Sequence, residues 1–222
     1  GGNRWRPPYY FCANLHCHDF GGAFVLCSHL LFCNLRTLPY TRTVLNLEEL
    51  IMKKFWLMLY YGFARFLPAY PIPGYQLAYS IRRSICKKLF LKMGGGTLIK
   101  RNAYFGDGHG ILIGENSQIG LNAVLSTDVT LGDNVVMGPD VIIYSNSHEY
   151  ADVNIPINQQ GMKKSNPVTI GNNVWIGARV VILPGVTIGD NCIIGANTVV
   201  TKSVPANSVV TGHAGRVVKT RT

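Results

Sequence analysis

The chain has 222 residues, 47% of them hydrophobic and only 14% charged, with a formal net charge of +10. Such a length can bury a sizeable core in one domain or two small ones, and no run approaches the roughly 20 uninterrupted apolar residues of a spanning helix. Residues 52–92 hold eight Lys or Arg and no acid, whereas 1–51 (four basic, three acidic) and 93–222 (nine basic, eight acidic) each come to +1, so the basicity belongs to one segment and not to a nucleic-acid-binding surface.

Residues 1–51 have no sustained period and contain Cys12, Cys17, Cys27 and Cys33, four of the six cysteines. His16, Cys17, His18 and His29 lie among them, but no CxxC pair or regular Cys/His spacing supports a zinc site. A charged start, apolar run and small-residue cleavage site of a secretory signal is not laid out either. Glu48-Glu49 can be encoded by GAGGAG, a purine-rich ribosome-binding sequence, and Leu50-Ile51 then supply a six-nucleotide spacer before Met52-Lys53-Lys54, which reads like a bacterial start. Residues 1–51 are therefore expected to be a non-native, disordered leader.

Residues 52–96 read as a basic, aromatic cap. Phe55 to Phe66 is apolar apart from Gly62 and Arg65, and Pro68, Pro71, Pro73 and Gly74 end it. Residues 75–92 follow as an amphipathic helix with Leu77, Ile81, Ile85 and Leu89 on its apolar side and Arg82, Arg83, Lys87, Lys88 and Lys92 on its polar side. Such a segment suits the covering of an open solenoid end. It equally suits contact between residues 52–92 and an anionic membrane surface.

From 97 to 205 one rhythm dominates. Ile113, Ile119, Leu125, Leu131, Met137 and Ile143 fall six apart, and the beat resumes at Ile170, Ile176, Ile182, Ile188, Ile194 and Val200. A second small or branched residue stands two before each beat. Gly follows the beat in eight of the twelve repeats, where it is expected to ease a turn. A period of six fits neither an amphipathic helix nor a lone strand. It fits an all-β solenoid of hexapeptide repeats, three short strands to a coil, with beat residues packed along the axis. Leu98, Ile99 and Phe105 start a first, imperfect coil, and Gly106-Asp107-Gly108-His109-Gly110 is a turn. Cys192 occupies an inward small position, and Cys86 lies on the cap helix.

Between Ile143 and Ile170 the beat is lost for 27 residues. Residues 144–167 are polar and lack aliphatic beats, as expected of an exposed loop leaving a rigid wall. His148 stands at its base. An imidazole titrates near neutral pH, so a histidine fixed there can serve as a general base.

The run Gly138-Pro139-Asp140-Val141-Ile142-Ile143-Tyr144-Ser145-Asn146-Ser147-His148 resembles the catalytic stretch of hexapeptide-repeat O-acetyltransferases, the galactoside and maltose acetyltransferase group. Pro167-Val168-Thr169-Ile170-Gly171-Asn172-Asn173-Val174-Trp175-Ile176-Gly177-Ala178 and Ile182-Leu183-Pro184-Gly185-Val186-Thr187-Ile188-Gly189-Asp190-Asn191 resemble the same family. The similarity spans about residues 97–220. It implies a left-handed parallel β-helix, contrary to the usual right-handed crossover, assembled as a homotrimer with active sites between subunits.

The resemblance further implies that His148 takes the proton of an acceptor hydroxyl, which attacks the thioester of acetyl-CoA with no acyl-enzyme and no metal. Trp175 would line the active site. Ala178 and Ala196 would let the pantetheine arm lie along the coil. Thr201 and Lys202 would meet the cofactor's far end, and Arg216 and Lys219, in the tail 206–222, its phosphates. Asn122, Ser126, Asp128 and Asn146 lie where the acceptor would bind; Ser126 stands where the family has an acidic contact. Relatives carry Pro where Ala214 stands, which alters the path of the C-terminal loop. The cap is closer to that of acetyltransferases from surface-polysaccharide gene clusters, which implies a sugar hydroxyl of a surface polysaccharide or its precursor as acceptor and a cytoplasmic enzyme, whose basic cap suits the inner face of the membrane. An N-acetyltransferase on an amino sugar or a xenobiotic acetyltransferase shares the base and cofactor cleft. A zinc enzyme of the carbonic anhydrase type would need three converging histidines, and past Met52 only His109, His148 and His213 remain, at no plausible spacing. A non-catalytic scaffold is the remaining class.

Overall fold

The structure is a computed structural model that describes residues 40–220, with the side chains of 40–46 and of Lys219 outside it. The expectations for Cys12, His16, Cys17, His18, Cys27, His29 and Cys33 fall outside the described residues. Helix α1 runs from Tyr40 to Gly62, so residues 40–51, expected to belong to a disordered leader, are helical and continuous with Met52 and the cap. A 3-10 turn at Ala64–Phe66 and the proline-rich link follow, then helix α2 at Tyr75–Leu89.

The apolar face of α2 differs from the one expected from spacing. Leu77 is 67% exposed, and the buried row is Ala78, Arg82, Ile85, Cys86 and Leu89. Arg82, assigned to the polar side by its charge, is fully buried. Its Nε donates to the Ile99 carbonyl at 2.7 Å, Nη1 to those of Leu67 at 3.0 Å and Ala64 at 3.3 Å, and Nη2 to that of Pro68 at 3.1 Å. The fork of guanidinium N–H groups thus ties three segments together: the 3-10 turn, the proline link and the first coil. Burial lowers its pKa, and the carbonyl dipoles stand in for the carboxylate it lacks. Tyr60 adds a second tie, its hydroxyl donating to the Ala103 carbonyl at 3.0 Å.

Lys92, expected at the end of the helix, instead begins the first coil. From there the chain visits three parallel sheets in rotation. The first face contains Lys92–Met93, Leu112–Ile113, Val129–Leu131, Val168–Ile170 and Thr187–Ile188. The second begins with Leu98–Ile99 and Gln118–Ile119. It continues in line, through Gln118 N–H to the Val135 carbonyl, into Val136–Met137, Trp175–Ile176, Ile193–Ile194 and Ser208–Thr211. The third holds Val124–Leu125, Ile142–Ile143, Val181–Ile182 and Val199–Val200. Regular neighbours lie 18 residues apart, as Trp175 and Ile193 do. Lys92 pairs with Leu112, a longer step that accommodates the Gly106–Gly110 turn. Val129 pairs with Val168, 39 residues on, across the excursion.

All twelve beat side chains are at most 1% exposed, and each residue two before the beat is also buried. Alternation places both in the axis while the intervening residue faces out. The resulting column of aliphatic side chains is one continuous core that reaches Tyr60 and Phe90 of the cap.

The turns are made differently from the expectation. The glycines after the beats are not in the left-handed region; that strain falls three residues before the beat. Asn116, Asn122, Asp128, Asn134, Asp140, Asn173, Asn191 and Asn197 all have φ between 53° and 59°, a region Asn and Asp tolerate. On one corner their amides form a ladder, with Asn173 Nδ2 donating to Asn191 Oδ1 at 2.9 Å and Asn191 Nδ2 to Asn207 Oδ1 at 3.0 Å. The glycines answer a different demand, close stacking of successive coils. A Cβ on Gly177 would lie 2.6 Å from the Ala196 nitrogen, and one on Gly138 2.7 Å from that of Ala178. Gly177→Ala is expected to cost about 1–3 kcal/mol by overpacking rigid backbone, read as a lower urea midpoint; an unchanged midpoint would contradict this reading.

The last described strands form a hairpin, Ser208–Thr211 pairing antiparallel with Arg216–Thr220 at the end of the second face. Ala214 in the connecting turn has φ 51°. A proline ring cannot take that angle, so the tail follows a path closed to a chain with Pro at this position.

Candidate functional site

The corner where the third face turns into the first collects half of the expected residues. Ser126 N–H donates to the Ile143 carbonyl at 2.9 Å, Tyr144 N–H to that of Ile182 at 2.9 Å and Leu183 N–H to that of Val200 at 3.1 Å. Ser126, Tyr144 and Leu183 therefore stack one coil above another, and Thr201 and Lys202 continue the column. Asp128 belongs to the same corner, its carbonyl accepting from Val168 N–H at 3.2 Å. The excursion leaves from this column. Its neck is closed by Asn166 N–H donating to the Ser145 carbonyl at 2.7 Å and Gly185 N–H to that of Asn166 at 3.0 Å. Ser145 is wholly buried there, and Asn146 is half-buried.

Beyond the neck the chain doubles back as a short two-stranded clamp around His148. Lys163 N–H donates to the Ser147 carbonyl at 2.8 Å, Glu149 N–H to that of Gly161 at 3.0 Å, and His148 bridges Met162. The backbone of His148 is thus fixed on both sides while its side chain stays exposed. Neighbouring side chains reinforce the clamp. The Lys163 ammonium lies 3.8 Å from the centre of the Tyr150 ring and 3.9 Å from the Glu149 carboxylate. The N–H groups of Tyr150 and Ala151 hold that carboxyl below its usual range. Lys163 and Tyr150 carry no hexad signal, so sequence spacing did not single them out. Removing the ammonium in Lys163→Ala gives up about 1 kcal/mol of cation–π attraction. A fall in kcat of about fivefold as the clamp loosens, with a melting temperature lower by only about 2–4 °C, is the expected outcome; a lower melting temperature with unchanged kcat would make Lys163 a residue of the fold.

The other expected residues lie elsewhere. Asn122 sits on the corner between the second and third faces, where its Nδ2 donates to Asp140 Oδ1 at 2.9 Å. Ala178 and Ala196 stack on that same corner, the Asn197 N–H donating to the Ala178 carbonyl at 2.9 Å. Trp175 projects from the second face and is 56% exposed. Arg216, exposed, and Lys219, whose side chain is outside the described residues, lie on the last strand of that face. The second face is the one that does not flank the corner carrying His148. One chain therefore brings His148, Asn146, Ser126, Asp128, Thr201 and Lys202 together, and does not bring Trp175, Ala178, Ala196 or Asn122 to them. Among the described residues no three His, Cys, Asp or Glu side chains converge as metal ligands. Cys86 and Cys192 are buried free thiols, and burial pushes the Cys86 thiol well above its ordinary pKa, which leaves it unreactive.

Two repeat families match the coils on either side of the excursion: "Hexapeptide repeat of succinyl-transferase" over residues 110–145 and "Bacterial transferase hexapeptide (six repeats)" over residues 167–202. The chain is 42% identical over 138 residues to the galactoside O-acetyltransferase of Escherichia coli K12, covering 62% of this chain and 68% of that protein. Among solved structures, it is similar to a maltose O-acetyltransferase from Clostridium difficile 630, with a TM-score of 0.64 and 32% identity over 78% of this chain and 88% of that one. It is similar also to a galactoside acetyltransferase in complex with coenzyme A, with a TM-score of 0.62 and 34% identity over 79% and 82%.

Proposed function

The chain belongs to the hexapeptide-repeat acetyltransferases and uses acetyl-CoA, and from that membership we propose that it acetylates a sugar hydroxyl of a surface polysaccharide or its precursor, with His148 as general base. The observation that supports this reading most is the break in the hexad rhythm. It leaves an otherwise regular wall at the corner bearing Ser126 and Thr201, and it presents an exposed imidazole from a backbone clamped on both sides. The neutral imidazole accepts the acceptor's hydroxyl proton as the oxygen bonds to the thioester carbonyl carbon; the C–S bond then breaks and the CoA thiolate leaves. Holding both substrates in one cleft would lower the entropic barrier, and a backbone N–H facing the developing oxyanion would lower the electrostatic one.

The cleft is proposed to lie between copies of a left-handed homotrimer. Trp175 and the Ala178–Ala196 corner of one copy would face the His148 corner of the next, because a single chain keeps them apart. The tip of the excursion supports this arrangement, since Val153, Ile155 and Ile157 are exposed apolar side chains without cover in one chain. The pantetheine arm would run past Ala178 and Ala196, with Thr201, Lys202, Arg216 and Lys219 toward the nucleotide end. Ser126, Asp128, Asn122 and Asn146 would line the acceptor pocket. The basic cap would rest at the inner face of the membrane, where lipid-linked glycan precursors are presented.

Labelled acetyl-CoA incubated with free sugars, sugar nucleotides and lipid-linked glycans tests the proposal. Label is expected on a glycan as an alkali-labile ester. Label recovered only as an alkali-stable amide on amino sugars would replace this reading with N-acetylation, and no transfer to any acceptor would contradict it.

A further inference from the structure

Among the described residues, helix α1 turns one face to the coil and leaves the opposite face uncovered. Tyr60, wholly buried, marks the covered side. At about 100° per residue, Leu47, Ile51, Phe55 and Met58 fall within a narrow stripe on the far side. They are 57%, 56%, 45% and 68% exposed. A helix that buries one face and shows an apolar stripe on the other has a second apolar phase to satisfy. No helix among the described residues is long and apolar enough to cross a membrane.

The charges beside the stripe decide its occupant. Lys54 follows the stripe on one flank and is exposed. On the other flank Lys88 of α2 reaches the surface formed by Glu49, Met52, Lys53 and Trp56, where two ammonium groups face one carboxylate, and Lys87 next to it in sequence is exposed. Lys53 itself is neutralised by Asp107 at 2.8 Å. Glu48 and Glu49 lie only at the N-terminal end of the stripe; from Met52 to Lys92 there is no acid. Apolar side chains flanked by exposed ammonium groups match the two layers of an anionic bilayer surface, acyl boundary and headgroup phosphate. A second copy of the chain would bring the same cations together and be repelled.

We propose that α1 lies in the plane of an anionic lipid surface, with Leu47, Ile51, Phe55 and Met58 entering the acyl boundary and Lys54, Lys87 and Lys88 meeting lipid phosphates. This rests on the reading of residues 52–92 as a membrane-contacting cap and is independent of the acetyl-transfer chemistry.

Sedimentation of the full chain with vesicles of phosphatidylglycerol and phosphatidylcholine, against phosphatidylcholine alone, tests it. Binding is expected only to the anionic vesicles and to weaken as salt rises. Phe55→Ser/Met58→Ser and, separately, Lys54→Glu/Lys88→Glu are each expected to weaken it about tenfold. Their circular dichroism and acetyl transfer to a soluble acceptor should stay as in the parent. Absence of binding to the anionic vesicles, or binding indifferent to both double substitutions, would overturn the proposal. A change in oligomeric mass for Phe55→Ser/Met58→Ser would also overturn it, by assigning the stripe to a second copy. Because the charge-reversal pair alters only exposed side chains, it decides the question even if the apolar pair fails to fold.

Discussion

Replacing His148 by alanine is expected to lower kcat for acetyl transfer by about 10²–10⁴, the range over which a positioned general base contributes. The structure separates this effect from damage to the fold. The bridge to Met162 and the flanking Ser147 and Glu149 hydrogen bonds are all made by backbone, and the exposed imidazole supports no packing. His148→Ala should therefore unfold at the same temperature as the parent and form the same oligomer. Its KM for acetyl-CoA should change little, because the cofactor is proposed to lie along the coil corners. Steady-state kinetics beside a thermal melt check this. A variant that keeps full activity removes His148 from the mechanism, and one that loses activity only by unfolding returns it to the fold.

Arg82→Ala is expected to be the most damaging single change in the cap. It leaves the carbonyls of Ile99, Leu67 and Pro68 without the guanidinium donor, reduces that of Ala64 to the Leu67 N–H, and opens a void where a fully buried side chain stood. Each stranded buried acceptor costs about 1–3 kcal/mol, not additively, and loss of about 3–5 kcal/mol is expected by analogy with breaking a buried charge network. Arg82→Lys should recover only part of this, because one ammonium cannot reproduce the planar fork. Urea unfolding followed by fluorescence measures both. An Arg82→Ala midpoint equal to the parent's would mean that the cap is held by its aromatic core, Tyr60 against Phe105 and Phe90 against Phe105, and not by the guanidinium.

How much of this was legible in the chain depended on what each residue type advertises. The beat residues announced themselves because an axial slot admits only an aliphatic of nearly fixed size, and their period identified three faces before any coordinate. The break after Ile143 was equally plain, since loss of a period needs no interpretation. Two signals were misread. Gly after the beat suggested a turn, but the left-handed φ sits on the Asn or Asp three residues before the beat. Eight of the twelve hexads carried that signal, in a residue type whose positive-φ tolerance is weaker and easier to overlook. Arg82 was read by charge alone, and charge says nothing about whether backbone carbonyls left unpaired at an irregular junction require a donor. The clamp of Lys163, Tyr150 and Glu149 was not legible at all: it forms between residues more than ten apart in an aperiodic segment, where only the folded path brings them together. Spacing likewise could not show that Trp175 lies on the face away from His148. That separation follows from counting faces, and it gives the proposed partner copy its task.

The most direct measurement is release of the CoA thiol from acetyl-CoA by the full chain, with and without a sugar acceptor, beside the His148→Ala variant. The account predicts release that requires the acceptor, falls by at least about a hundredfold in the variant, and leaves an alkali-labile acetyl ester on the sugar. Acceptor-dependent release that persists undiminished in His148→Ala, or that yields no ester, would contradict it.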